Sequence, residues 1–296
     1  MSMSPDGVDL HTHTHHSDGL DAPAELVAKA ARHGVRRLVV TDHDTLAALP
    51  EARAAGATCG VEVLTGIELS VQHGDFNDIH LLGYFFDSED AALNACLARL
   101  REGRTQRGLE ILRCVNRRLS DRGLAPLDSE RVRQYASGVL TRPHLAQALV
   151  DQGYCKGHQE AFRDFLIPCN APKPLLSLEE GLRLVGNAGG VCSLAHPGTL
   201  SDDPNVLDPL LTAAKALGLA GLEVYHRAHY PDAIPFFGAA AQHHHLVATG
   251  GSDYHGRPTG PTLGEIAPGY PVPRMALNDL QRFAAGRKAV GRISEA

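Results

Sequence analysis

In this 296-residue chain, the residues that could do chemistry come in short clusters, each at the end of an apolar stretch. Asp9-Leu10-His11-Thr12-His13 is the first, with Asp18 close behind in Ser17-Asp18-Gly19. The others are Thr41-Asp42-His43-Asp44, Gly66-Ile67-Glu68, Ile79-His80, Ala195-His196-Pro197-Gly198 and Gly251-Ser252-Asp253-Tyr254-His255. In an extended strand, residues i and i+2 share a face, so His11 and His13 can converge on one cation while Leu10 and Thr12 turn away. Each cluster alone is a weak signal. Together they supply six histidines (His11, His13, His43, His80, His196, His255) and three carboxylates (Asp18, Glu68, Asp253). That is too many donors for one tetrahedral zinc and suits two or three ions such as Mn²⁺, Fe²⁺ or Zn²⁺. The set contains no cysteine, which disfavours a structural zinc. A carboxylate such as Glu68 can bridge two ions, with a hydroxide between them as nucleophile. Asp42 and Asp44 flank His43 and are expected to orient histidine ligands or metal-bound water.

The elements that must position these residues alternate. Strand-like runs are read at 8–11, 37–41, 61–69, 78–86, 190–196, 221–226 and 244–249, with Ala-rich amphipathic stretches between most of them. The stretch 22–33 has Pro23 near its start and Gly34 just past its end, the usual helix punctuation. Such alternation indicates a parallel sheet covered by helices, closed or nearly closed into a barrel. The candidate ligands then fall at or just after the C-terminal strand ends, where α/β folds gather their sites. From about Ser88 to Leu175 the pattern is helical without a good strand. The expected organisation is a barrel of residues 1–87 and 176–296, with 88–175 inserted. Residues 97–133 hold ten arginines against five acids, which makes the insertion a candidate anion-facing surface.

Composition narrows the function classes. Net charge is −6, which argues against a surface that coats nucleic acid. No apolar run approaches the roughly 18 residues of a membrane span. The start, MSMSPDG, lacks the basic and apolar regions of a secretory leader. A cytoplasmic protein without membrane association is therefore expected. On that basis the six cysteines, none in C-x-x-C spacing, are read as reduced, packed thiols. Histidine is the outlier, at 17 residues against no tryptophan.

DLHTHTHHSDG, TDHD, GIELS, DIHLLGY, AHPG and GSDYHG together resemble the polymerase-and-histidinol-phosphatase (PHP) metallophosphoesterases. The resemblance covers essentially the whole chain. It is closest to the branch with nucleoside 3′,5′-bisphosphate phosphatases and 5′→3′ oligoribonucleases. It implies a distorted (β/α)7 barrel with an inserted helical subdomain and a trinuclear metal site. By motif, His11, His13, Glu68 and Asp253 would serve the first ion, Glu68, His80 and His196 the second, and Asp18, His43 and His255 the third. Arg101, Arg104, Arg142 and His144 resemble segments that bring Arg and His over the metals, and His229 matches a further histidine of the branch. Arg142, together with Asp42 and Asp44, is expected to take part in catalysis. The stretch 166–176 departs from the branch's G-x-P-aromatic-V segment, being shorter and without the aromatic; Lys173 within it is a candidate replacement for a lysine near phosphate. His226 and His243 to His245 are expected to be surface or packing residues.

The resemblance implies hydrolysis of a small phosphorylated substrate, best a nucleoside 3′,5′-bisphosphate, with the 5′ end of a short RNA as alternative. No dedicated protein partner is evident. A histidinol-phosphate phosphatase would share the metals without needing a long Arg-rich insertion. An amidohydrolase would want a metal-bridging lysine on strand four, where this chain has His80. A non-catalytic metal-binding module would be favoured by missing ligands, and none is missing.

Overall fold

The computed structural model describes residues 6–133 and 140–294. Its strands form two main sheets and a small hairpin. In the first sheet β1 (Gly7–Asp9), β2 (Val35–Val39) and β3 (Glu62–Leu64) run parallel in that order. Helices α1 (Pro23–Arg32) and α2 (Leu49–Cys59) cover it, with Leu26, Val27, Ala30 and Ala52 packed against Val35 and Leu38. The second sheet takes β4 (Gly66–His73), β5 (Phe76–Tyr84), β6 (Leu176–Ser177), β7 (Val191–Leu194), β8 (Gly221–Tyr225) and β9 (Val247–Gly250) in the order β6-β4-β5-β7-β8-β9. Helices α7 (Leu178–Asn187), α8 (Pro204–Ala216) and α9 (Ile234–His243) bury their apolar faces on it.

The fold is mixed α/β, and two features depart from the single parallel barrel expected. The run read as one strand over 61–69 breaks at Thr65, where the chain passes from one sheet to the other. Thr65 is held there by Arg53, whose Nη2 donates to Oγ1 at 2.6 Å, and by the Phe85 N–H on its carbonyl. Secondly, β5 is antiparallel to both β4 and β7. The β4–β5 hairpin turns through Gly74, at φ +56°, and a tight hairpin can only join antiparallel strands. Between the two sheets there are isolated bridges at Thr12–Tyr254 and His43–Glu68 rather than one continuous ladder.

The described residues between β5 and β6 are mostly helical, the short helices being α4 (Ser129–Arg133) and α6 (His158–Ala161). α3 (Ala91–Asp121) has 31 residues, about 46 Å of helix. Leu93, Leu97 and Leu100 sit in the core of the large sheet. Ile111, Leu112, Val115 and Leu119, at the other end, join a separate core with α5 (Arg142–Asp151) and Phe165, Leu166 and Cys169. Between these anchors lie Arg101, Arg104 and Arg107. Their three-residue spacing confines them to about a third of the helix circumference.

Gly108 sets how closely α3 approaches the residues leading into α5. A Cβ there would stand 2.4 Å from the Leu140 carbonyl oxygen. Gly108→Ala should push the two apart, costing about 1–3 kcal/mol by overpacking and moving Arg142 away from the α3 arginines. A thermal melt of the variant beside wild type checks this; an unchanged Tm would mean the contact is not tight.

One sequence expectation is overturned. Cys114 on α3 and Cys169 are disulfide-bonded, with Cα atoms 5.5 Å apart. They are 55 residues apart in sequence, so spacing could not pair them; the packing of α3 on the 162–169 segment does. Cys59, Cys96, Cys155 and Cys192 are free thiols.

Candidate metal centre and phosphate cavity

All nine candidate ligands meet in one place. Glu68 lies at the centre, buried, and divides its two oxygens between two histidine sets. Oε2 lies 3.2 Å from His11 Nε2, 3.1 Å from His13 Nε2 and 3.2 Å from His43 Nδ1. Oε1 lies 3.0 Å from His80 Nδ1 and 3.2 Å from His196 Nε2. Asp253 Oδ1 stands 3.4 and 3.3 Å from the same two nitrogens of His11 and His13. Asp18 Oδ1 faces His255 Nε2 at 3.2 Å and His43 Nε2 at 3.7 Å. Four overlapping groups bring their donor atoms within 4.8 Å of one another: His13 with Asp18, His43 and His255; His11 with His13 and Asp253; His11 with Glu68 and His196; His43 with Glu68 and His80.

Backbone placement explains the convergence. His11 and His13 follow β1, His43 follows β2, His196 follows β7, and Asp253 and His255 follow β9. Glu68 and His80 do not come from strand ends. They lie inside the antiparallel β4–β5 pair, with Ser70 opposite His80, and reach the centre from the face of that hairpin. Asp44, His196 and Asp253 take positive φ (52°, 25° and 55°), a cost typical of functional positions that the surrounding packing must hold.

These residues fit divalent cations. His11 Nε2 and His13 Nε2 face each other at 3.1 Å, and both also face Glu68 Oε2 and Asp253 Oδ1, so four donor atoms converge on one point as they would around a cation. His43 Nδ1 and His80 Nε2 are buried with no hydrogen-bond partner. The donors are imidazoles and carboxylates, the set that borderline ions take.

Electrostatics agree with that fit. Burial alone would lower His13, but hydrogen bonds with Asp253 and Glu68 outweigh it and raise its pKa to about 10. Burial likewise opposes His80, and Glu68 and Asp78 raise it to about 9. Burial would raise Glu68, yet His43, His11 and His80 hold it well below the usual carboxylate range. Metal ligation needs neutral imidazole, so cations must displace these protons. With folded values above the ordinary 6.5, the metal-free protein holds protons from about pH 6.5 up to 9 or 10 that a metal expels. Adding Mn²⁺ to metal-free protein at pH 7 should release protons, and affinity should rise with pH across that window. Calorimetry in two buffers of different ionisation enthalpy measures this. A buffer-independent heat would contradict it.

Supporting residues surround the centre, and some were not singled out from the sequence. Glu223, fully buried, places Oε1 3.0 Å from His11 Nδ1 and accepts from the His196 N–H at 2.7 Å, fixing two ligands at once. Its place at the end of an apolar strand, two residues before Tyr225, was the available signal. Asp9 accepts from Ser252 N and Oγ and from Gly264 N, tying β1 to the segment after β9. His226 is buried beside the centre, not a surface or simple packing residue. Its Nδ1 accepts from the Ala228 N–H, and Nε2 lies 3.5 Å from Asp253 Oδ2. The turn after β8 swings it inward, which a strand pattern does not report.

Asp42 hydrogen-bonds beside the ligands rather than to them. It accepts from Thr14 N, Thr14 Oγ1 and Ser17 Oγ, and so shapes the loop that carries Asp18. Asp44 accepts from Ser70 N at 2.9 Å and from Arg104. His229 has both ring nitrogens engaged within the protein. Buried at 1% exposure, it sets Nδ1 against the Val224 carbonyl and accepts from Gly198 N–H with Nε2, so it clamps the His196 loop. Burial pushes it down to about 4, which keeps that ring neutral. His144 Nδ1 accepts from Thr141 N at the start of α5, a capping role.

A cavity of about 280 Å³ opens over the centre. Asp18, His43, Asp78 and His80 line one side, and Arg101, Arg104, Arg107, Arg142 and Lys173 line the other. Arg104 is held by Asp44 and by Ser70 Oγ at 2.9 Å. Arg107 donates to Ala171 O and Asn170 Oδ1, both at 2.8 Å, and Lys173 donates to Asp78 at 2.8 Å. Arg142 lies over the Phe162 ring. Burial lowers Arg107, and the charges of Arg142 and Arg104 lower it further, the signature of crowded cations awaiting an anion.

A cation-binding carboxylate and histidine centre beneath a wall of arginines defines a metal-dependent hydrolase of phosphate esters. The chain belongs to the PHP family: the PHP domain matches residues 9–165, more than half of its length. A 3′,5′-nucleoside bisphosphate phosphatase of Chromobacterium violaceum is 34% identical over 252 residues, 84% of this chain and 87% of that protein. A phosphoribosyl 1,2-cyclic phosphate 1,2-diphosphodiesterase of Eggerthella lenta is 34% identical over 259 residues, 84% and 94% of the two chains. A crystal structure from Bifidobacterium adolescentis, provisionally assigned as a metal-dependent phosphoesterase, superposes with a TM-score of 0.79 at 31% identity, covering 94% of this chain and 96% of that one. No helix among the described residues is long and apolar enough to cross a membrane.

Proposed function

We propose that this enzyme removes one phosphate from a small nucleotide carrying two, turning a nucleoside 3′,5′-bisphosphate and water into the 5′-monophosphate and phosphate. The observation that carries this reading is the cation wall: five basic side chains line a cavity whose opposite wall is the candidate metal centre. That is more positive charge than one phosphate requires. The C. violaceum relative's name describes the same reaction class.

In this reading two or three ions of the Mn²⁺, Fe²⁺ or Zn²⁺ type are held by His11, His13, Glu68 and Asp253, by Glu68, His80 and His196, and by Asp18, His43 and His255. Such ions supply Lewis-acid charge and an activated water at neutral pH. The chain's own residues do the positioning. Glu223 fixes the orientation of His11, and Asp44 fixes Arg104 so that its remaining donors face the cavity. Arg142 and Arg101 hold phosphoryl oxygens and neutralise charge as it develops. Residues 88–175 act as a substrate-binding subdomain over a metal-binding unit of residues 1–87 and 176–296. The two bridged sheets of that unit are read as a distorted, incompletely closed barrel.

The test is a phosphate-release screen of Mn²⁺-loaded protein. It includes nucleoside 3′,5′-bisphosphates, the matching monophosphates, a 5′-phosphorylated short RNA, a ribosyl cyclic phosphate and histidinol phosphate. The bisphosphate should give the highest kcat/KM. A higher value for the RNA or the cyclic phosphate would replace this substrate assignment.

A further inference from the structure

The metal-side cavity is small for a whole nucleotide. Its volume of about 280 Å³ falls just under the range of ordinary small-molecule pockets, roughly 300–1,000 Å³. The cavity does not end blindly. Asp44, Thr45, Ala47 and Arg101 also line a second cavity of about 610 Å³, running between the start of α2 and the first half of α3. Its character is different. Leu46, Leu49, Pro50 and Leu97 give it an apolar floor, with Ser88, Asn94 and the opposite charges of Arg53 and Glu89 also lining it. Leu49 and Leu97 belong to the buried core and present only their edges. One end of the combined groove is strongly basic and the other is apolar with a polar rim. That polarity matches a ligand with phosphates at one end and a flat, hydrogen-bonding ring at the other.

We propose that this second cavity is the nucleoside subsite: the base and ribose lie on the Leu46, Leu49, Pro50 and Leu97 floor while the phosphates stay between the metal centre and the cation wall. The proposal rests on the nucleotide reading above and goes beyond it by locating the specificity. Arg101 stands at the junction, where it can meet a phosphate from one side and bound ribose from the other. Asn94 spends its amide N–H groups on the Ser88 and Asp90 carbonyls, which leaves its Oδ1 to accept from a base edge. Binding energy gathered in this subsite would then position the reacting phosphate.

The chain has no tryptophan, which makes a direct test available. Ala98 is exposed on α3 and lines the groove, so Ala98→Trp narrows the subsite and installs a lone tryptophan there, which bound nucleotide must contact or displace. Three measurements follow on Mn²⁺-loaded protein. The ratio of kcat/KM for nucleoside 3′,5′-bisphosphate to that for phenyl phosphate should fall about tenfold to a hundredfold in Ala98→Trp, the scale of a lost apolar pocket contact. Nucleoside 5′-monophosphate should change the tryptophan emission of Ala98→Trp, whereas inorganic phosphate should not. A control, Gln281→Trp on helix α10 (Arg274–Ser294), should show no change with either ligand. If wild type turns over the bisphosphate but Ala98→Trp leaves that ratio unchanged, the subsite is wrong and the nucleotide reading stands. If emission responds equally to phosphate and nucleotide, the subsite is likewise overturned. If wild type does not turn over nucleotides at all, the substrate reading falls and takes the subsite with it.

Discussion

Glu68→Ala should lower kcat for any phosphate ester on the order of 10³-fold, the upper end of what losing one preorganised charge-stabilising group costs. The reason is the division of its oxygens, with three histidines around Oε2 and two around Oε1. No other carboxylate here touches as many candidate ligands, so the substitution disturbs every group it joins at once. KM should change far less than kcat, because the cation wall that holds substrate is untouched. Metal content measured on the purified variant should fall with activity. Full metal content with full activity in Glu68→Ala would remove Glu68 from the centre. Chelation of wild type should mimic the variant, and Mn²⁺ should reverse the chelation but not the substitution.

The second large effect concerns the cation wall. Arg104 and Arg107 spend donors on Asp44, Ser70, Asn170 and Ala171. Arg142 lies over the Phe162 ring, a contact that uses none of its N–H donors and leaves them for a ligand. Arg101 and Arg142 are therefore the pair to remove. A charged hydrogen bond is worth roughly 1.5–3 kcal/mol, so Arg142→Ala with Arg101→Ala should lower kcat/KM for a bisphosphate by about a hundredfold or more. A simple aryl phosphate, which has no second phosphate to anchor, should lose much less. Steady-state kinetics at fixed ionic strength on both substrates separates the cases. Equal losses would make the arginines a scaffold and leave the bisphosphate preference without its anchor.

The ligands were legible in the sequence because metal chemistry restricts residue type and strand geometry restricts spacing. His11 and His13 are the clearest case, since a two-residue step fixes their common side. Glu68 and His80 were found for the right residue type and the wrong place, because a parallel pattern was assumed where a hairpin reverses direction. What stayed hidden depends on turns and long-range packing. His229 and His226 lie three residues apart after β8; one folds back onto Val224 and Gly198, and the other turns toward Asp253. No periodicity separates them. The Cys114–Cys169 bond and the role of Arg107 were out of reach for the same reason, since each depends on which distant segments meet. The helical character of the insertion could be read, but not that one helix would anchor in two cores and hold the arginines between them.

The centre also ties together the two ends of the chain. The His13 N–H donates to the Tyr254 carbonyl at 2.8 Å, the Asp253 N–H donates to the His11 carbonyl at 2.9 Å, and buried Asp9 holds Ser252 and Gly264. His196, Asp253 and His255 all lie beyond the 9–165 stretch that carries the family signature. Contacts of such sequence separation are the slow ones to form, because loop closure must precede any reward from the contact. During synthesis the first two clusters of ligands would wait for about 200 residues of chain before their last partners, Asp253 and His255, arrive. Until then the early histidines are an incomplete chelate, and the centre is completed only once β9 and the residues just after it are in place.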